Sequence, residues 1–130
     1  MTTVLVIEDE PLIRESVAEI LESRGYDVGT AEDGLAGVEM AQTHLPDLII
    51  SDITMPNLDG YGVLERVRQD PSLATIPFIF LTARVGREDI RSAMNNGADD
   101  FLSKPFTPSE LLAAVNSRLK KQSTVAKKYE

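Results

Sequence analysis

Polar side chains suited to phosphoryl chemistry follow four short apolar runs of this sequence. They are Glu8 and Asp9 after Val4–Ile7, Asp52 after Leu48–Ile50, Thr82 after Phe78–Leu81, and Lys104 after Phe101–Leu102. A carboxylate can attack phosphorus or bind a divalent cation, whereas a hydroxyl and an ammonium can hold phosphoryl oxygens. If the runs are parallel strands, their C-terminal ends meet at one edge of a sheet. The pattern therefore predicts a metal-assisted acceptor site for a phosphoryl group.

The three carboxylates of this predicted site would need a cation beside them. Glu8, Asp9 and Asp52 would end two neighbouring strands, and carboxylates that close cannot all stay ionised without a positive partner. Mg²⁺ is favoured because it prefers hard oxygen ligands. Each residue also has an ordinary structural interpretation, since Glu8 and Asp9 could cap a helix and Asp52 could cap a loop. Their shared position at adjacent strand ends favours the magnesium site.

The hydroxyl and the ammonium have similar alternatives. Thr82 could cap a turn before the next helix, and Lys104 could be a solvated surface lysine. Pro105 argues against the second interpretation, because an X-Pro turn restricts the direction of the preceding side chain. The sequence thus predicts that Lys104 points towards the acidic residues.

The elements that would position these residues alternate between strand and helix along the chain. Strands are predicted at Val4–Ile7, Tyr26–Ala31, Asp47–Ser51, Phe78–Leu81 and Asp100–Ser103. The first helix is predicted from Pro11 to a stop at Gly25, and the second from a cap at Asp33 to about His44. The remaining helices are predicted over Tyr61–Gln69, from Arg87 to about Asn96, and from Pro108 onwards. Apolar residues recur at helical spacing in each of the five.

Five such units predict an α/β protein with a single doubly wound (βα)₅ domain. Continuous apolar runs suit strands that are buried on both faces of a parallel sheet. The flavodoxin-like strand order 2-1-3-4-5 is favoured, because the second strand is the most polar and suits an edge. This order makes strands 1 and 3 neighbours.

Size and charge indicate one acidic domain. The chain has 130 residues, divided here into a domain over 1–122 and a helix extension or linker over 123–130. The net charge of −8 argues against direct nucleic acid binding, and the absence of cysteine excludes disulfides. No basic signal-peptide start and no apolar run of about 20 residues is present, so we expect a cytoplasmic protein without membrane contact.

Four pieces of this pattern together resemble the receiver domain of bacterial two-component response regulators, the CheY-like superfamily. They are Glu8-Asp9, Asp52-Ile53-Thr54-Met55-Pro56 with Asp59-Gly60, Thr82-Ala83, and Lys104-Pro105-Phe106. The resemblance extends from about Val4 to Leu119. It implies a phosphorylation-driven switch without a metabolic substrate, and a cis peptide bond between Lys104 and Pro105.

The resemblance also assigns roles to residues near the predicted metal. Asp52 would accept the phosphoryl group from a phosphohistidine on a sensor histidine kinase or phosphotransfer protein. Asp9 and Asp52 would bind Mg²⁺, for which Mn²⁺ could substitute, and Glu8 would act mainly through an outer-shell water. The backbone carbonyl of Thr54 would be the third protein ligand, and the side chains of Thr54 and Arg84 would set the lifetime of the phosphate.

Further implied roles concern the response to phosphorylation. Thr82 and Lys104 would hold phosphoryl oxygens, and Phe101 would turn inward as Thr82 moves. This change would remodel the face formed by helix 4, strand 5 and helix 5, which would then control a downstream protein or a C-terminal output domain. The same face is a candidate homodimer interface. A plain core aromatic is the alternative interpretation of Phe101.

Two other functions stay open at this point. One is an aspartyl-phosphate phosphohydrolase, although such enzymes typically carry an acid/base Asp where this sequence has Thr54. The other is a pseudo-receiver that binds partners without being phosphorylated.

Overall fold

In the part of the chain that the structure describes, five strands and five helices alternate, as predicted. The computed structural model describes residues 2–83 and 86–129, with side chains through residue 120. The strands are β1 (Thr3–Ile7), β2 (Asp27–Ala31), β3 (Leu48–Ser51), β4 (Phe78–Thr82) and β5 (Asp100–Ser103). The helices are α1 (Pro11–Glu22), α2 (Gly34–His44), α3 (Gly60–Gln69), α4 (Arg87–Asn95) and α5 (Pro108–Tyr129).

The strands form one parallel sheet of order β2-β1-β3-β4-β5. This confirms the predicted topology and the edge position of β2. Every residue of β3 and β4 is buried, because helices cover both faces of the sheet. The outer strand β2 has only one fully buried residue, Ala31, which explains its more polar sequence.

Alternate residues of each strand belong to two separate core layers. Leu5, Ile7 and Ile49 belong to the layer that includes buried residues of α2, α3 and α4. Val4, Val6 and Leu48 belong to the opposite layer, which includes residues of α1 and α5. Each strand therefore contributes to both layers, since its side chains alternate between the two faces.

The first four strands each differ by one residue from their predicted bounds, and two helix boundaries also differ from those expected. Helix α1 ends at Glu22 rather than at Gly25, because the chain already turns there and Gly25 has a φ of +87°. Helix α3 includes Gly60, since Asp59 is its N-cap and accepts a hydrogen bond from the Gly62 amide. Helix α5 runs without a break past residue 122, so the division into 1–122 and 123–130 stays a prediction. None of the helices described here could cross a bilayer.

Candidate functional site

The site is built at the place where β1 and β3 end side by side. Ile7 pairs with Ser51 in the parallel register, so the next residues of the two strands, Glu8 and Asp52, are neighbours. The amide of Asp52 donates to the carbonyl of Ile7 at 3.0 Å, which extends the sheet pairing by one residue. This is the point at which the strand order reverses, where ligands bind in open α/β sheets.

Three carboxylates meet at this point. Glu8, Glu10 and Asp52 each place an oxygen within 4.8 Å of the other two, and we call these residues the acidic cluster. Glu8 and Asp52 are buried, with 1% and 5% of their surface exposed, whereas Glu10 is exposed. A buried group of like charges requires a positive partner.

Lys104 supplies that partner within the protein. Its Nζ lies 2.9 Å from Oε2 of Glu8, 3.1 Å from Oδ2 of Asp52 and 3.8 Å from Oε1 of Glu10. The side chain of Lys104 is only 11% exposed, so it is directed into the cluster, as the sequence predicted. Its backbone amide donates to the carbonyl of Thr82 at 2.9 Å, and the Lys104–Pro105 bond is cis, which confirms that prediction.

The carboxylate of Asp52 is held in one orientation. Its Oδ1 accepts a hydrogen bond from the Ile53 amide at 2.7 Å, and its Oδ2 accepts one from Lys104. Helix α3 starts directly against this loop, because the Gly60 amide donates to the Ile53 carbonyl at 2.7 Å. A Cβ at Gly60 would lie 2.2 Å from the Asp52 carbonyl oxygen, so only glycine allows this approach.

Thr82 ends β4 at the same edge of the sheet. It is buried, with 1% of its surface exposed, and it pairs in register with Ser103, the residue before Lys104. The hydroxyl of Thr82 and the ammonium of Lys104 therefore come from the adjacent strand ends of β4 and β5. This arrangement agrees with the predicted position of both residues, and their roles towards a phosphoryl group stay predictions.

Burial and charge determine the protonation of the cluster. Burial, together with the nearby charge of Asp52, raises the pKa of Glu8 from 4.5 to about 7 in spite of the lowering effect of Lys104. Burial alone would lower the pKa of Lys104, but its close ion pair with Glu8 and the charge of Asp52 outweigh this and raise the pKa. Lys104 is therefore charged at neutral pH, while Glu8 titrates near neutrality.

The acidic cluster fits a divalent cation. Three carboxylates opposed by one ammonium leave a formal charge of −2. In addition, Oε2 of Glu8 is buried and receives no hydrogen bond of regular geometry within the described part of the chain, although Lys104 lies near it. Because carboxylate oxygens are the ligands that Mg²⁺ prefers, these residues could hold that ion.

The structure brings some of the predicted site residues together and not others. Glu8, Asp52 and Lys104 are brought into contact, whereas Asp9 is not among the carboxylates that converge, and its role as a metal ligand stays a prediction. Thr54 is exposed and Phe101 is half-buried against the core layer of α2 and α3. Arg84 lies outside the described residues.

Glu10 belongs to the acidic cluster and was missed by the sequence analysis. A usable signal was present, since Glu8 and Glu10 are two residues apart and an extended chain directs alternate side chains to one side. The amide of Glu10 also donates to Oε1 of Glu8 at 3.2 Å, which holds this turn together.

We expect the free energy of unfolding of the metal-free protein to fall as pH rises from about 4.5 to about 7. Between these values the folded protein binds more protons than the unfolded chain, because the pKa of Glu8 is about 7 when folded and 4.5 when unfolded. The gap corresponds to a loss of about 3 kcal/mol. Lys104 stays charged over this range, so the effect comes from Glu8 beside Asp52 and Glu10. Urea unfolding followed by circular dichroism at a series of pH values measures it.

The variant Glu8→Gln isolates this contribution. In Glu8→Gln the free energy of unfolding should decline less steeply with pH. Glu15→Gln, which changes an exposed carboxylate on α1, should leave the decline unchanged. A decline of equal steepness in the wild type and in Glu8→Gln would contradict the assignment to Glu8.

The fold and the acidic cluster define the class of protein: a CheY-like α/β domain with a cluster of carboxylates at the strand switch point. The sequence pattern of the response regulator receiver domain matches residues 4–116. The chain belongs to this family, and it is the receiver domain of a two-component response regulator. Both the suspected family and the predicted CheY-like fold are thereby confirmed.

Individual relatives agree with this assignment. The DNA-binding dual master transcriptional regulator RpaA of Synechocystis sp. is 40% identical over 125 residues, which are 96% of this chain and 52% of RpaA. The chain thus spans about half the length of this curated relative. The chemotaxis response regulator CheY4 of Vibrio cholerae superposes with a TM-score of 0.85 at 34% identity, covering 92% of this chain and 98% of CheY4.

One solved relative contains a metal ion in its active site. The receiver domain of the sensor histidine kinase PA1611 of Pseudomonas aeruginosa has a magnesium ion coordinated in its active-site cleft. It is 30% identical, with a TM-score of 0.85 over 92% of this chain and 98% of that domain.

Proposed function

We propose that Asp52 accepts a phosphoryl group from a phosphohistidine on a sensor histidine kinase or phosphotransfer protein. The observation that carries the proposal is the oriented carboxylate of Asp52. It is buried at the strand switch point, fixed through one oxygen by the Ile53 amide and through the other by Lys104. A fixed carboxylate beside a charged ammonium is suited to attack on phosphorus.

The reaction is a transfer between two nucleophiles. A carboxylate oxygen of Asp52 forms a bond to phosphorus, the bond between phosphorus and the imidazole nitrogen breaks, and the electron pair stays on the imidazole. Lys104 neutralises negative charge near the developing acyl phosphate. The hydroxyl of Thr82 would donate to a second phosphoryl oxygen.

The proposal includes a divalent cation, Mg²⁺ or in its place Mn²⁺. Asp52 and Glu8 would hold it, with Asp9 and the Thr54 carbonyl as the further ligands that the sequence predicts and Glu10 at its edge. When bound, the ion would neutralise charge on the transferred phosphoryl oxygens. The protein residues fix the direction of attack and keep bulk water from the buried carboxylates.

The proposed output is a shift in the face formed by α4, β5 and α5. A phosphoryl group at Asp52 would attract Thr82 and Lys104, and the half-buried Phe101 would turn inward. Helix α4 exposes Ile90 and Met94, 40% and 45% accessible, so this face offers apolar surface to a downstream protein, an output domain or a second copy. The domain itself would not bind nucleic acid, given its acidic charge.

The role that we propose for the domain in signalling is based in part on its relatives. RpaA is by name a DNA-binding regulator and is about twice as long, which is why we propose that this domain controls a C-terminal output domain or a separate protein. Cytoplasmic location is part of the same proposal. The domain has no metabolic substrate, and its only reactions would be its own phosphorylation and dephosphorylation, at a rate that Thr54 and Arg84 influence.

Incubation with acetyl phosphate and Mg²⁺, followed by intact-protein mass spectrometry, tests the function. The wild type should gain one phosphoryl group, and chelation of the metal with EDTA should prevent the gain. Absence of any gain would support a pseudo-receiver instead. Repeated turnover of a generic phosphate ester, with no lasting gain in mass, would support a phosphohydrolase.

A further inference from the structure

The loop that follows Asp52 lies directly on the first turn of α2. The contact involves Asp33 and Gly34, the N-cap and the first residue of α2, with Asn57 and Leu58 of the loop, and we call it the loop–α2 contact. We propose that the loop–α2 contact positions the loop for metal binding and so sets the rate at which Asp52 is phosphorylated. This inference rests on the proposed function of Asp52.

Backbone packing provides the first part of the contact. A Cβ placed on Gly34 would lie 2.1 Å from the carbonyl oxygen of Leu58, far below any allowed distance. The side chain of Leu58 fills the space above Gly62 in α3, where an added Cβ would lie 2.4 Å from a Leu58 methyl carbon. Two glycines therefore let the loop sit between the N-termini of α2 and α3.

A side-chain hydrogen bond provides the second part. Asp33 caps α2 through Oδ1, which accepts from the Ala36 amide at 2.8 Å. Its other oxygen, Oδ2, accepts from Nδ2 of Asn57 at 3.1 Å. Capping alone requires only one of these oxygens. The second carboxylate oxygen therefore connects the helix cap to the loop.

Asn57 is also placed at a special point of the loop backbone. Its φ is +69°, in the left-handed region that asparagine tolerates better than most side chains. Asn57 thus combines the backbone conformation that the turn needs with a donor that reaches Asp33. A glycine would satisfy the backbone and lose the donor.

Along the loop, the loop–α2 contact lies between the predicted metal ligand, the Thr54 carbonyl, and the start of α3. On one side, Thr54 follows Asp52 by two residues and is the predicted carbonyl ligand. On the other side, Asp59 caps α3 through the Gly62 amide. Holding the loop at Asn57 and Leu58 therefore limits the positions that the Thr54 carbonyl can take. A loop that is positioned only part of the time would bind the metal with proportionally lower affinity.

An exchange of donor and acceptor tests the contact. The variant Asn57→Asp places a second carboxylate opposite that of Asp33, so the hydrogen bond is lost. The double variant Asp33→Asn/Asn57→Asp again has an amide donor opposite a carboxylate acceptor, with the two residues exchanged. Asparagine also caps helices, so the cap of α2 is kept. The charge-neutral variant Asn57→Gly removes the donor and retains the positive φ.

Two measurements are made on every variant. The first is the Mg²⁺ affinity, obtained from the increase of the urea unfolding midpoint with Mg²⁺ concentration. The second is the initial rate of phosphoryl uptake from acetyl phosphate at a Mg²⁺ concentration below the dissociation constant. The unfolding free energy without Mg²⁺ is recorded separately, because a purely structural contact would change that quantity alone.

We expect Asn57→Gly and Asn57→Asp to lower both the Mg²⁺ affinity and the uptake rate by about fivefold. This factor corresponds to the net free energy of one hydrogen bond. The exchanged pair should recover the wild-type values. Added negative charge by itself would favour Mg²⁺ binding, so a weaker affinity in Asn57→Asp reflects the lost contact. Unchanged affinity in both single variants, or failure of the exchanged pair to recover, would overturn the proposal.

Gly34→Ala gives an independent test through the backbone part. It should displace Leu58 and lower the Mg²⁺ affinity more than Asn57→Gly does. If Gly34→Ala does not fold, the two Asn57 variants decide the result. A wild type that binds Mg²⁺ but takes up no phosphoryl group would refute the function of Asp52, while the Mg²⁺ affinities would still report on the loop–α2 contact.

Discussion

Asp52→Asn should take up no phosphoryl group from acetyl phosphate, with the rate reduced by at least about 100-fold. The amide keeps the size of the side chain and an oxygen for the Ile53 amide, but it is not a nucleophile towards phosphorus. Lys104 also retains Glu8 as an ion partner at 2.9 Å, so the fold should survive. Intact-protein mass spectrometry over time measures the rate, and circular dichroism verifies folding.

A matched control lies at the other end of the same strand. Asp47 precedes β3 as Asp52 follows it, but it is exposed and accepts a hydrogen bond from the Thr3 amide. Asp47→Asn should therefore be phosphorylated at the wild-type rate. Phosphoryl uptake that persists in Asp52→Asn would place the acceptor at another residue, with Glu8, Asp9 and Glu10 as the next to be tested.

Lys104→Met should lower the free energy of unfolding by about 3 kcal/mol at pH 8 in the absence of Mg²⁺. The variant removes the ammonium that lies within 3.1 Å of both Glu8 and Asp52 and leaves these carboxylates buried without it. At pH 5.5 the loss should be smaller, because Glu8 is then protonated in the folded protein. Mg²⁺ should restore part of the stability at pH 8, since it can replace the missing positive charge.

Urea unfolding of both proteins at the two pH values measures this difference. Arg24→Met serves as the control, because it removes one positive charge from an exposed position just after α1 and should change the stability by less than about 0.5 kcal/mol. Equal losses for Lys104→Met at pH 5.5 and pH 8 would show that the ionised carboxylate of Glu8 is not the reason why the protein requires the lysine.

The sequence by itself determined the fold and the kinds of residue at the site. Continuous apolar runs such as Leu48–Ile50 indicate strands that are buried on both faces, and the polar β2 indicates an edge, so the order 2-1-3-4-5 followed from local patterns. The polar residue that follows each apolar run can likewise be identified from the sequence alone. Because parallel strands end at one edge, Asp52, Thr82 and Lys104 could be assigned to a common site from their positions along the chain.

Only the tertiary structure decided which side chains meet and how the loop is held. Glu10 rather than Asp9 joins Glu8 and Asp52 in the acidic cluster, since the direction of each side chain depends on the turn between β1 and α1. The loop–α2 contact joins residues more than 20 positions apart, as in the bond between Asn57 and Asp33. Such contacts depend on distances between elements that pack together only in the folded chain, and no local pattern specifies those distances.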